Sequence, residues 1–119
     1  MAQASNIAEL KQLRIQSGAV KRLAKEVEYY LKELKALNLE LEQMKNEEKK
    51  ENQSDLKQQR QAIEETEAVL ADIRPRLVKS YEEVKSLLEG LKGREELDPE
   101  LFKDAKANLQ LADVYVKQD

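Results

Sequence analysis

The stretch LRIQSGAVKRLAKEVEYYLKELKALNLELEQM, Leu13 to Met44, decides the fold. Leu13, Val20, Val27, Leu34 and Leu41 stand seven apart, and from Val20 onward a second apolar residue follows three later, as Leu23, Tyr30, Leu37 and Met44. On a helix the two sets share one side and form an a/d seam kept for about four heptads. Ala24 and Leu31 broaden that stripe, as in a helix that meets more than one neighbour. The stretch predicts a long helix inside a bundle, not half of a dimeric zipper.

Outward from this helix the pattern stops in NEEKKENQSD, Asn46 to Asp55, which has no apolar side chain and nothing to bury. This predicts a turn. Asn52 or Ser54 is the candidate cap of the next helix, with Asp55 placed to meet the positive end of its dipole. Leu56, Ile63, Leu70, Leu77, Val84 and Leu91 then repeat the heptad, joined by Ile73, Tyr81, Leu87 and Leu88. The companion positions hold Gln59 and Thr66 early in this segment, so the thicker core is expected in its second half. Pro75 lies inside the run and is expected to kink the helix without stopping it, because the heptad phase continues across it.

Gly90 and Gly93 with Lys92 and Arg94 predict the end of the second helix. In LDPELF, Asp98 is the expected cap, Pro99 the first helical residue, and Leu97 a partner for Phe102 in a hydrophobic staple. Phe102, Ala105, Leu109, Ala112 and Val116 trace one face of a third helix. The expectation is one all-α domain over residues 1–119, an antiparallel three-helix bundle resembling a spectrin repeat. Its helices are expected over about 8–46, 54–91 and 99–117. Two helices of ~40 residues reach ~60 Å and a third of ~19 only ~28 Å, so the hairpin around residues 36 to 66 should be left as a bare pair.

Composition narrows the function. The 119 residues carry 38% charged and 40% apolar side chains, 4% aromatic, and neither Cys nor His. That set lacks the usual general base, thiolate chemistry and the commonest metal ligands. The carboxylates of Glu64, Glu65 and Glu67, and of Glu82 and Glu83, fall on expected solvent faces, where nothing tunes them for catalysis. Glu47, Glu48 and Glu51 lack the loop of a calcium site. No catalytic, cofactor or metal site is expected. A net charge of −3 disfavours nucleic acid and anionic membrane surfaces. The opening MAQASNIAEL has neither part of a signal peptide, and no apolar run approaches ~18 residues, so the expected compartment is the cytoplasm.

One cluster goes beyond folding. From residue 10 to 25 the chain carries Lys11, Arg14, Lys21, Arg22 and Lys25 and no acid. Either this is a solvated face, neutralised by Glu26, Glu28 and the acidic third helix, or it docks an acidic protein surface. Tyr30 falls on the seam while Tyr29 lies off it, as a side chain available for contact. The candidate protein-binding residues are Lys21, Arg22, Lys25 and Tyr29.

The order of motifs carries a resemblance. IQSGAVKRLAKEVEYYLKEL, Ile15 to Leu34, resembles the first helix of the tubulin-binding cofactor A family, small tubulin-specific chaperones, through Lys21, Arg22, Leu23, Lys25, Glu26, Tyr30 and Glu33. DLKQQ, Asp55 to Gln59, and RLVKSYEEVKSLL, Arg76 to Leu88, are similar to its middle helix, and FKDAKANLQLADV, Phe102 to Val114, to its third. The likeness runs from about residue 13 to 116. Two features depart from it: the family's proline usually stands about one turn before Pro75, and NEEKKENQS replaces an Asp/Pro-containing turn. The resemblance implies a non-enzymatic, ATP-independent chaperone. Its partner would be β-tubulin, with other tubulin-folding cofactors further along the route to the αβ heterodimer, and its place the cytoplasm beside the cytoskeleton. The alternative is a structural coiled-coil adaptor or oligomerisation module without tubulin affinity. The chain is expected as a monomer or a homodimer, since the bare hairpin can be closed by self-pairing or left for a client.

Overall fold

The computed structural model describes residues 2–47 and 53–117. Among these residues three α-helices follow one another: α1 (Ala2–Glu47), α2 (Gln53–Gly90) and α3 (Pro99–Val116), with a 3₁₀ turn, Glu95–Leu97, before the last. The molecule is a rod of 72 × 20 × 18 Å. Its length is set by α1, whose 46 residues make about 69 Å of helix at the usual rise. α1 starts at Ala2, earlier than the apolar seam alone indicated. The expected cap Asn52 lies outside the described residues, while Ser54 is the second residue of α2 and Asp55 sits in its first turn.

The seams close on one another as the heptads require. Leu13, Val20 and Val27 of α1 are fully buried, with Leu23 and Ala24 beside them, against Leu70, Ile73, Leu77, Tyr81 and Val84 of α2. α3 adds Leu101, Phe102, Ala105 and Ala112 to the same core. Arg14 Nη2 donates to Asp98 Oδ2 at 2.8 Å, and Tyr115 Oη to Glu28 Oε2 at 2.8 Å, so α3 runs parallel to α1 along its first half. Tyr81 of α2 meets Asp113 near the end of α3, which makes these two antiparallel.

Beyond the end of α3 the core thins. Leu34, Leu37, Leu41 and Met44 are only half-buried, and the opposing seam of α2 contains buried Gln59 and Thr66 beside Ile63. Burial leaves an amide in need of partners, and Gln59 Nε2 finds them in the Leu37 carbonyl at 2.9 Å and Glu40 Oε2 at 3.0 Å. A polar residue in the seam is thus held across the hairpin.

Breaks and caps follow local chemistry. α2 runs through Pro75 without interruption. Pro75 is exposed, as is Ala71 one turn earlier, whose carbonyl is the one that a proline at this position leaves without its helical donor. α2 ends at Gly90, and Gly93 takes φ +88°, a left-handed conformation that side chains rarely adopt. Asp98 Oδ1 accepts from the Leu101 amide at 3.2 Å, capping α3 with Pro99 as its first residue. Leu97, the expected staple partner of buried Phe102, is 47% exposed and borders a groove with Ile7, Leu10 and Ile15 of α1.

Candidate protein-binding surface

The four candidate residues sit where α1 has both neighbours along its flanks. Positions 14, 17 and 28 of α1 face α3: Arg14 bonds Asp98, the Ser17 carbonyl and hydroxyl accept from Asn108 Nδ2 at 3.2 and 2.9 Å, and Glu28 accepts from Tyr115. Lys21 is four residues after Ser17 and seven before Glu28, so it stands on this α3 side, exposed. Arg22, Lys25 and Tyr29 lie round the helix and line a groove with Glu26 and Tyr30 of α1 and Val69 and Ile73 of α2. Arg22, Lys25 and Tyr29 are therefore brought together on this groove, and Lys21, one turn before Lys25, lies just outside its lining.

Within the groove Tyr29 is 61% exposed and its ring meets that of Tyr30 edge-on, with centroids 5.1 Å apart and planes at 84°. The contact favours this position of the exposed ring by about 1 kcal/mol. Glu26 places one anion among the cations. Val69, which sequence reading left out, supplies apolar surface from α2; it directly precedes seam residue Leu70, and that neighbouring position was its only signal.

Of the acids expected to neutralise the basic cluster, Glu26 lines the groove itself and Glu100 and Asp104 line another beside Arg14, while three more are engaged with other groups. Asp98 divides its carboxylate between the α3 cap and Arg14, which takes Arg14 out of the free cluster. Glu28 accepts from Tyr115 and, at 3.3 Å, from Lys32; the tyrosine hydroxyl first and then the ammonium hold its carboxyl below the usual range. Asp113 accepts from Tyr81 at 2.6 Å and pairs with Lys117 at 2.9 Å, and it too is lowered, by Tyr81 first. The same bond to Asp113, with burial, pushes the Tyr81 hydroxyl up to about 12. Lys11, Lys21, Arg22 and Lys25 form no ion pair among the described residues, so the cationic surface stays open.

Glu64, Glu65, Glu67 and Glu82 are exposed and Glu83 is half-buried. No group of acids among the described residues is arranged to hold a metal ion, and Glu48 and Glu51 lie outside those residues. No helix among the described residues is long and apolar enough to cross a membrane.

The model of one protein family, tubulin binding cofactor A, matches residues 8–109, from the first turns of α1 to the middle of α3. The chain belongs to this family. Its cofactor A relatives include the tubulin-specific chaperone A of Rattus norvegicus and that of Homo sapiens, each 35% identical over 97 residues, covering 82% of this chain and 86% of the relative. The tubulin-specific chaperone A of Gallus gallus is 35% identical over 101 residues, 85% of this chain and 90% of its own. No solved structure matches the chain. The cofactor A match includes all four candidate residues and the α2 side of their groove, and it stops before Asp113 and Tyr115, which tie α3 to its neighbours.

Proposed function

We propose that this chain is a chaperone of tubulin folding that captures β-tubulin on the way to the αβ heterodimer. The observation that carries the reading is membership of the tubulin binding cofactor A family over residues 8–109. It acts without ATP and without chemistry of its own, as one three-helix unit in the cytoplasm beside the cytoskeleton, and hands its client to other tubulin-folding cofactors. Lys21, Arg22, Lys25 and Tyr29 are its contact residues. Open cations steer an acidic partner and choose among partners, and a braced exposed tyrosine supplies contact area. Because charge at a wet surface is screened and exchangeable, such a grip is releasable.

Native-gel co-migration with labelled β-tubulin released from chaperonin tests this, with α-tubulin and the intact heterodimer as controls and no nucleotide present. A shifted band for β-tubulin alone is expected. Reversal of Lys21, Arg22 and Lys25 to Glu should weaken that band while leaving helical content intact. Absence of a shift at micromolar protein overturns the reading. It would favour the structural coiled-coil module, for which the half-buried Leu34, Leu37, Leu41 and Met44 offer a face that self-pairing would close.

A further inference from the structure

Val69 of α2 has a neighbour that the heptads do not assign to it. It is 36% exposed and lines one groove with Tyr29 of α1, itself 61% exposed. The half-buried Tyr30 and the buried Ile73 lie between them. Two exposed apolar walls from separate helices thus stand over an apolar floor, around a space of about 430 Å³. Water in that space wets both walls, an unfavourable contact that one large apolar side chain would remove.

The rim carries charge of both signs. Arg22, Lys25 and Glu26 border the groove, and none of the three forms an ion pair among the described residues. Arg76, seven residues after Val69 on the same side of α2, is paired with Asp72 at 3.4 Å. Two cations against one acid leave the rim only weakly positive, too little to hold a partner by charge. Exposed charges are screened by salt and each contributes little, so they set how fast partners meet more than how long they stay. Apolar area removed from water against an aromatic wall is what holds a partner in place.

We propose that this groove is the socket for an anchor of the partner: one large apolar side chain, seated between Tyr29 and Val69, beside a carboxylate that meets Arg22 or Lys25 and a hydrogen-bond donor that meets Glu26. The complementarity is to a mixed rim and not to a cationic one. Tyr30 positions Tyr29 through the edge-on contact of their rings, and Val69 makes α2 part of the contact surface. The surface divides by role: Lys21, Arg22 and Lys25 steer, whereas Tyr29 and Val69 retain. The proposal deepens the chaperone reading and rests on it only in taking β-tubulin as the source of the anchor.

Association and dissociation rates with β-tubulin, measured across a salt series, test the division. Val69→Thr keeps the shape of the side chain and replaces a methyl by a hydroxyl, so it should raise koff severalfold and leave kon within about twofold. Val69→Asp sets a carboxylate in the socket and should raise koff further, with circular dichroism reporting an intact bundle. Arg22→Gln combined with Lys25→Gln should do the reverse, lowering kon and flattening its dependence on salt while koff stays nearly unchanged. Wild-type koff in Val69→Thr, or in a folded Val69→Asp protein, overturns the socket while leaving the chaperone reading in place. If the wild type does not bind β-tubulin, that reading fails, and methyl NMR with a blocked tripeptide of glutamate, phenylalanine and glutamine decides the socket. Shifts at the Val69 and Ile73 methyls that vanish when alanine replaces the phenylalanine support it; no shifts, or shifts elsewhere, overturn it. A wild-type dimer in sedimentation that Val69→Asp dissociates also overturns it, in favour of self-pairing.

Discussion

Tyr81 shows how one side chain does two jobs. Its ring is part of the core and its hydroxyl donates to Asp113 at 2.6 Å, so a polar tip is satisfied at the edge of an apolar layer. Its raised proton affinity means that the folded state favours the neutral hydroxyl. That stability is fully present below the unfolded value of 10.0 and is lost as pH rises through about 12. We expect the gap in urea midpoint between wild type and Tyr81→Phe to be constant up to about pH 10 and to close towards pH 12. The carboxyls of Asp113 and Glu28 are lowered, so their contribution has the opposite sense, present above the unfolded values of 3.8 and 4.5 and lost as pH falls through the folded ones. Leu70, 5% exposed, tests packing alone. Leu70→Ala should leave a cavity and lower unfolding free energy by about 2–5 kcal/mol, and an unchanged denaturation curve would remove Leu70 from the seam.

α3 is the element whose position depends most on polar contacts. It is short, so its own helical propensity contributes little, and it is fastened by Asp98 at one end, Asn108 in the middle and Asp113 and Tyr115 near the other. Asp98 combines a cap with an ion pair to an Arg14 that is largely exposed. Asp98→Ala should lower stability by about 1 kcal/mol for the cap, plus at most about 1 for the exposed pair. Asp98→Asn should recover most of the cap's share and none of the pair's. Equal losses in the two variants, measured by urea denaturation, would mean that the charge and not the cap holds the start of α3.

The rod as a whole is uneven along its length. Three helices enclose the core around Leu13 to Val27, Leu70 to Leu91 and Leu101 to Ala112, whereas the hairpin end is two helices wide with a glutamine and a threonine in its seam. Backbone bonds covered by fewer apolar contacts open at lower free energy. Amides of residues 36–47 and 53–62 should therefore exchange with deuterium faster than those of 13–27 and 77–88, and uniform protection along both long helices would contradict the thinning. A rod built this way keeps its open cations and Tyr29 on the end braced by α3.

How much of this could be read without coordinates differs from residue to residue. The seven-residue spacing from Leu13 and from Leu56 determined two long helices and their inward sides, because a helix turns by a constant angle and water excludes apolar side chains wherever they fall. Asp98 and Pro99 determined where α3 starts, since a cap acts on amides within its own turn. Tertiary structure alone decided that Arg14 is taken by Asp98, that Glu28 serves Tyr115, and that Val69 of α2 joins Arg22, Lys25 and Tyr29 in one groove. These partners are separated by 84 and 87 residues in the chain, or lie on two different helices, and periodicity carries no information about either. It also decided where the fading expected from the short third helix begins: the heptads of Leu34 and Leu41 are as regular as those before them, yet Val27 is sealed from water and Leu34 is already half-buried.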